Sequence, residues 1–368
     1  EIASCLVGSE MCIRDRFSVD RSNEVFMNIL IVKLSAIGDV IHALPIAYVL
    51  KKRYPNAHIT WVVEPTAYEL VKHNPYVDEI IIFHKKAFKS WNGFKENYRP
   101  FAKLLQKRKY DISIDLQGLF KSAAVVFTAK AKKKIGYVDM REGSNLISKR
   151  IVGNNKNGHI VDRYLDTVKC LDCDTENIIF PLVNTQDEID FVDNLLIKEN
   201  ILNQKFIIFA VGTNWINKCW SVENFAKLSN LLAGYKLKVV LIGFGKDDEQ
   251  KSQAIIKLAR ENNIINFVGK TSLMQTARLI KLSKAVVGGD TGNLHLAAAL
   301  NIPAIMLMGP TDPNRNGPYR QSENVILAGH ECDGCWKRTC AKNIDCLASI
   351  KPNQVIEKLR QSELLKDE

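Results

Sequence analysis

Nowhere in the 368 residues is there a run of about 18 uninterrupted apolar side chains, so nothing in the sequence is long enough to span a membrane as a helix. The opening residues also lack the apolar core of a secretory signal. No internal repeat and no low-complexity tract is visible, which excludes a repeat architecture. Acidic side chains are the scarcer charge, 40 Asp and Glu against 51 Lys and Arg, a formal +11. With no export signal, the nine cysteines are expected as free thiols in a reducing cytoplasm.

What is present is ordinary for a globular protein: 46% hydrophobic and 25% charged residues, at a length suited to two domains of about 100–200 residues each. Residues 1–26 have neither helical nor strand periodicity and resemble a translated adapter, so a native start is expected at Met27. Residues 27–368 hold 48 basic and 35 acidic side chains, a formal +13. Such an excess points to an anionic partner, whether nucleic acid, acidic membrane or acidic substrate. The basic residues cluster in 85–109 and 130–134; as solvated helix faces they would need no partner at all.

From Met27 short apolar runs alternate with amphipathic stretches. Strand-like runs fall at 29–34, 59–63, 79–83 and 111–115, with helical segments at 40–53, 66–73, 94–108 and 119–130. After a helix around 159–171 and a polar stretch near 182–188, the pattern restarts. Strand-like runs at 206–210, 238–242, 265–268, 285–288 and 304–308 enclose helices at 221–233, 247–262, 272–282 and 292–300, and 352–365 is helical. This alternation predicts α/β architecture: two Rossmann-like, doubly wound parallel-sheet domains facing across a cleft, with ligands at the carboxyl ends of the strands. The expected divisions are 27–185, 186–350 and a C-terminal helix in 351–368. An epimerase or a two-lobed binding protein would read the same way, so motifs must decide.

Three strand-to-helix turns carry chemistry. In Lys33-Leu34-Ser35-Ala36-Ile37-Gly38-Asp39 the carboxylate falls at a helix start, where it serves either as an N-cap or as a base aimed into the cleft. In Gly288-Gly289-Asp290-Thr291-Gly292-Asn293-Leu294-His295 the glycines allow close approach of a ligand, and the helix start offers N–H groups to a phosphate. No Gly-Lys-Ser/Thr follows, so this is not a Walker A loop. In Thr213-Asn214-Trp215-Ile216-Asn217-Lys218-Cys219-Trp220 a lysine on the cleft side suits a diphosphate leaving group, and Gly243-Phe244-Gly245-Lys246-Asp247 suits a nucleoside. Each of these turns also has a purely structural reading.

The segment Met27–Asp39, followed by VIHALP, resembles the start of the lipopolysaccharide heptosyltransferases of glycosyltransferase family 9. Trp61-Val62-Val63-Glu64 and the run from Ile114 to Ser122 resemble the heptosyltransferase I branch in particular. Asp290-Thr291-Gly292 with His295, and Lys218-Cys219-Trp220, are similar to that family's donor-site motifs. The resemblance implies a GT-B fold and an inverting, metal-independent transfer from ADP-heptose. It implies as acceptor the 3-deoxy-D-manno-octulosonic acid (Kdo) of Kdo-lipid A, and a peripheral place on the cytoplasmic face of the inner membrane is expected. No cofactor and no nucleic acid is implied. Asp39 is implied as general base and Lys218 as the group stabilising departing ADP. Thr213, Asn214, Asp247, Thr271, Asp290, Thr291, Gly292 and His295 are implied to line the donor site, and Ser35 and Arg141 the acceptor side. Asn214 stands where a hydroxyl residue is usual, and Thr271 where a methionine occurs in the family.

Two features compete with this assignment. Asp172-Cys173-Asp174 fits a metal-nucleotide pattern but follows a helix rather than a strand. Cys332, Cys335, Cys340 and Cys346 fit either a structural zinc site or reduced thiols in a surface loop, and similar cysteine segments occur in the heptosyltransferase II branch. That branch, acting on an already heptosylated acceptor, is the alternative reading. A non-catalytic nucleotide or nucleic-acid binding module is the alternative of another class.

Overall fold

The computed structural model describes residues 26–365. The expected leader therefore lies, except for Phe26, outside the described residues. In the first half β1 (Asn28–Val32) leads into α1 (Ile37–Ala43) and α2 (Pro45–Arg53), followed by β2 (His58–Val63), α3 (Tyr68–Lys72) and β3 (Glu79–Ile82). Then come α4 (Trp91–Leu105), β4 (Ile112–Asp115), α5 (Phe120–Ala129), β5 (Lys133–Gly136), β6 (Lys149–Arg150) and α6 (Ile160–Lys169). The six strands are all parallel, in the order β3-β2-β1-β4-β5-β6.

The second half is built the same way. It runs α7 (Gln186–Lys198), β7 (Phe206–Ala210), α8 (Val222–Ala233), β8 (Lys238–Ile242), α9 (Lys246–Leu258), β9 (Ile264–Asn266), α10 (Leu273–Leu282) and β10 (Ala285–Gly289). It closes with α11 (Gly292–Ala299), β11 (Ala304–Met308), α12 (Pro313–Asn316), β12 (Val325–Leu327) and α13 (Pro352–Gln361). Its parallel order, β12-β11-β10-β7-β8-β9, repeats the first: the first strand of each half pairs with the second on one side and the fourth on the other. The crevice at such a reversal of strand order is where doubly wound sheets bind ligands. In the first sheet it lies between β1 and β4, in the second between β7 and β10.

Helices on both faces explain why the central strands are apolar throughout. Ile29 and Ile31 of β1 point to the layer formed by α1, α2 and α6, while Leu30 and Val32 point to α4 and α5; all four are fully buried. Burying each such side chain contributes about 1.5–3 kcal/mol. The α1–α2–α6 layer is continuous with the core of the second half, through Leu294 and Leu296 of α11 and Met274 of α10. Glu69 of α3 also reaches across: its carboxylate accepts the free N–H groups of Leu273 and Met274 at the start of α10, at 3.0 and 3.4 Å.

Several elements were not anticipated. The stretch around 182–188 leads directly into α7, whose start is fixed by a capping box between Thr185 and Glu188. α7 docks on α10 through Arg278 and Asp193, 2.9 Å apart, so it belongs to the second half. Strands β5, β6 and β12 complete the sheets at one side each. The helix expected in 352–365 is α13, which packs on α8 and places Val355 and Leu359 in the second core.

Candidate active site

The loop between β1 and α1 forms the first half of the site. Asp39 is not the N-cap: Ala36 holds that position, and Asp39 sits at the third helical residue, where its Oδ2 accepts the Ala36 N–H at 3.2 Å. The carboxylate remains 38% exposed, with Lys33 Nζ 3.9 Å away. Lys33 is itself buried and donates to the Leu116 carbonyl (3.1 Å) and the Tyr164 hydroxyl (2.8 Å). Burial lowers its pKa, an effect opposed by Asp39 and Asp115.

The segment after β4 supports this loop rather than reaching into the cleft. Gln117 Oε1 accepts the N–H groups of Leu34 and Ser35, each at 3.1 Å. Asp115 is buried and takes hydrogen bonds from Gln117 N, Gly118 N and Ser122 Oγ; burial nevertheless raises its pKa. Lys121 joins Ser35 Oγ (3.1 Å) to Glu64 (2.6 Å). Ser35 thus has its hydroxyl at the site, while Arg141 uses its backbone N–H on the Gly118 carbonyl and leaves its side chain exposed.

The second half gathers around Asp290, directly after β10. Its Oδ2 takes Lys218 Nζ at 2.6 Å and the Thr311 hydroxyl at 2.8 Å, and its Oδ1 lies 2.9 Å from His295 Nε2. A carboxylate only accepts, so Nε2 carries the hydrogen. Burial would raise the Asp290 pKa, but His295 and Lys218 outweigh it and hold the carboxyl well below its ordinary range. Lys218 Nζ also lies 4.2 Å from the centroid of the Trp215 ring. The Lys218 backbone crosses so close to Gly289 that a Cβ there would meet the Lys218 carbonyl oxygen, which is why the strand must end in glycine. Thr291 is the N-cap residue of α11 and Gly292 its first residue.

Lys218, Asp290 and His295 are therefore brought together, with Thr311 as a partner that the sequence reading missed. Thr213 lies beside them, its hydroxyl donating to the Trp215 carbonyl at 2.6 Å. Asn214 is exposed on the same loop. Asp247, exposed in the first turn of α9, and Thr271, whose hydroxyl pairs with Thr276 at 2.9 Å, make no hydrogen bond to this cluster. The neighbour Asp248 instead fixes the turn after β8 by accepting the Phe244 N–H at 2.9 Å.

The two halves meet where α1 faces α11. A Cβ on Gly38 would lie 2.7 Å from His295 Cδ2, and one on Gly292 would lie 2.9 Å from Ile37 Cγ2. Glycine at both positions lets the two helix starts touch, and with them the Asp39 loop and the Asp290 loop. His42 of α1 packs in this contact, its ring 4.3 Å from His295 and 5.5 Å from His159. Below the contact, Asp139 of the first half binds Arg163 (2.9 Å) and Arg315 of α12 (3.2 Å).

The histidines make this contact sensitive to acid. His159 donates through Nε2 to the Gly317 carbonyl and accepts the Val161 N–H on Nδ1, a neutral ring by construction. Burial, partly offset by the Gly317 hydrogen bond, takes its pKa down to about 4. His42, with no hydrogen-bond partner on either nitrogen among the described residues, is pushed well below its ordinary value by burial and by His295. Between the ordinary histidine pKa of about 6.5 and about 4, the unfolded chain binds protons that the folded protein refuses. Stability therefore falls as pH drops through that window. Thermal unfolding is expected to show a midpoint several degrees lower near pH 5 than near pH 7, with part of the drop abolished by His42→Phe. A pH-independent midpoint, or a drop that His42→Phe leaves intact, would contradict this account.

The two competing features do not assemble. Asp174 is an exposed partner of Lys52 at 2.7 Å, away from either strand reversal. Cys332, Cys335, Cys340 and Cys346 are free thiols, and burial pushes Cys346 up to about 11. Among the described residues no three His, Cys, Asp or Glu side chains are grouped to hold a metal ion.

Two facing doubly wound sheets, with a carboxylate at one reversal point and a cation and helix start at the other, define a two-domain glycosyltransferase of the GT-B class. The chain belongs to glycosyltransferase family 9 (heptosyltransferase), whose family model matches residues 98–344. It is 30% identical over 360 residues to lipooligosaccharide heptosyltransferase 2 of Haemophilus ducreyi, covering 91% of this chain and 99% of the relative. It is 28% identical over 308 residues to lipopolysaccharide heptosyltransferase 1 of Escherichia coli K12, covering 83% and 95%. The solved structure of Escherichia coli heptosyltransferase WaaC with ADP superposes with a TM-score of 0.70 at 26% identity, covering 91% of this chain and 99% of that one.

Proposed function

We propose that the protein transfers L-glycero-D-manno-heptose from ADP-heptose to the Kdo residue of Kdo-lipid A during assembly of the lipopolysaccharide inner core. The observation that carries this reading is the contact of α1 with α11, which brings the loop that bears Asp39 up to His295, the partner of Asp290. Asp39 takes the proton of the acceptor hydroxyl as its oxygen bonds to the anomeric carbon. The bond from that carbon to the ADP oxygen breaks, and the departing negative charge is met by Lys218 and the N–H groups at the start of α11. Base and leaving-group site belong to different domains, an arrangement suited to attack from the face opposite ADP and hence to inversion. A lysine and a helix start at the diphosphate position support a reaction that needs no metal. Thr213, Asn214, Asp247, Thr271 and Thr291 are assigned to the donor, Ser35 and Arg141 to the acceptor.

Transfer of heptose to Kdo-lipid A in the presence of EDTA is the expected result. Activity confined to an acceptor that already carries heptose would favour the heptosyltransferase II reading, to which the similarity to the Haemophilus ducreyi relative and the late cysteines lend support. Absence of transfer to either acceptor would sink the substrate assignment.

A further inference from the structure

Helix α4 carries one apolar stripe along its length: Trp91, Phe94, Tyr98, Phe101 and Leu105. Only the end of that stripe is covered. Leu105 is buried, and Phe101 packs on Phe83 (5.4 Å between centroids) and Phe88 (5.7 Å). The first two turns are partly open, with Trp91 70%, Phe94 39% and Tyr98 36% exposed and Phe94 edge-on to Phe88 at 6.3 Å. Their rings form a ladder, Trp91 on Phe94 at 6.1 Å and Phe94 on Tyr98 at 5.1 Å, with interplanar angles of 9° and 18°.

The surroundings of this ladder are strongly cationic. Residues 85–109 hold nine Lys and Arg against a single acid, Glu96. Lys95 extends over the Trp91 ring at 5.2 Å. In the second basic stretch Lys132 binds Asp111 at 2.8 Å and Lys133 and Lys134 are half-buried in β5, which leaves Lys130 exposed. Because α4 follows β3, its exposed start lies at the carboxyl edge of the first sheet, the edge that carries Asp39. Phe120, 71% exposed at the start of α5, lies on the same edge.

We propose that the first two turns of α4 dock the protein on an anionic lipid bilayer, with Trp91, Phe94 and Tyr98 at the boundary of headgroups and acyl chains and the flanking lysines on lipid phosphates. Aromatic rings and cations on one short amphipathic surface are the chemistry of interfacial binding. A nucleic acid fits less well, because rings stacked on one another offer few free faces to bases. Docked this way, the carboxyl edge of the first domain faces the lipid. The inference rests on the reading of the acceptor as lipid-borne, and it deepens that reading by naming the surface that meets the bilayer.

The test is flotation of the full chain with vesicles of phosphatidylglycerol and phosphatidylethanolamine, and with vesicles of phosphatidylcholine alone. The expected result is binding to the anionic vesicles that weakens with added salt, and little binding to the neutral ones. A variant combining Trp91→Ser, Phe94→Ser and Tyr98→Ser should lose about tenfold or more of the partitioning. A second variant combining Lys85→Glu, Lys86→Glu and Lys89→Glu should lose a similar amount. Thermal unfolding of the lysine variant should match the wild type, and that of the aromatic variant should fall by no more than the ring–ring contacts it removes account for. Turnover on vesicle-embedded acceptor should fall in both, while turnover on the delipidated acceptor sugar stays unchanged. No vesicle binding, equal binding to neutral vesicles, full binding by the aromatic variant, or loss of RNA binding in place of vesicle binding would each overturn the proposal. Vesicle binding without heptose transfer would leave it standing and overturn the substrate reading instead.

Discussion

Asp39→Asn is expected to lower kcat by about 10²–10⁴-fold while leaving the affinity for ADP within about twofold, the loss typical of removing a general base. Glu64, Asp115, Asp139 and Asp39 stand at the carboxyl edge of the first sheet, and three of them are already engaged. Glu64 is tied to Lys121 at 2.6 Å, and Asp139 to both Arg163 and Arg315. Asp115 is buried and serves three donors. Asp39 alone of these four combines exposure with a nearest cation as far as 3.9 Å away. Asparagine keeps the carbonyl oxygen that accepts the Ala36 N–H, so the start of α1 should survive. It cannot take a proton from an acceptor hydroxyl. Asp39→Glu should retain part of the activity, because the base persists but is displaced by one methylene. Steady-state kinetics with saturating donor, together with ADP titration, separate these outcomes. Full turnover by Asp39→Asn would move the base elsewhere.

The sheet centres were legible in the sequence because both of their faces are covered. Residues 206–210 read as an unbroken apolar run and 238–242 as one that opens on Lys238, and they form β7 and β8 with the same limits. The edges were harder. β5 begins with Lys133 and Lys134, whose charge hid it among the basic clusters. α7 buries only Val192 and Leu196, too few for its period to stand out, although Thr185 and Glu188 at capping-box spacing were available as a signal.

The site divides along the same line. Asp39 and Asp290 fall on turns of the form strand–glycine–carboxylate, which stand out in a sequence, and Lys218 on the loop that follows β7. The support was not readable, because it comes from segments distant in sequence. Thr311 reaches Asp290 from 21 residues away and Tyr164 reaches Lys33 from 131. For Lys33 one local signal existed: a lone lysine ending an otherwise apolar strand must find buried partners. His295 was read as a donor-site residue. Its ring is buried against Gly38 and His42, where it holds Asp290 and forms the domain contact.

Lys218→Met is the companion prediction, on the opposite domain. The ammonium lies 2.6 Å from Asp290 Oδ2 and over Trp215, only 12% exposed, at the start of α11. A diphosphate arriving there brings charge that competes with Asp290 for the same cation. Because Thr311 and His295 continue to hold Asp290, the lysine can turn toward the phosphate without stranding a buried carboxylate. The negative charge on ADP grows as the glycosidic bond breaks, so the interaction strengthens in the transition state and acts on kcat more than on binding. Methionine matches the length of the side chain and removes the charge. A fall in kcat of about 10²–10³-fold is expected. ADP should bind only about tenfold more weakly, equivalent to about 1.4 kcal/mol. Lys218→Arg should recover part of the rate by restoring the cation in a bulkier form. Removing Lys218 also takes away one of the two partners that offset the burial of Asp290, so the variant should unfold at a lower temperature. Measuring kcat well below that temperature separates loss of fold from loss of chemistry. If Lys218→Met weakened ADP binding and kept its kcat, the lysine would be a ground-state anchor for the donor, and stabilisation of the leaving group would fall to the N–H groups of α11.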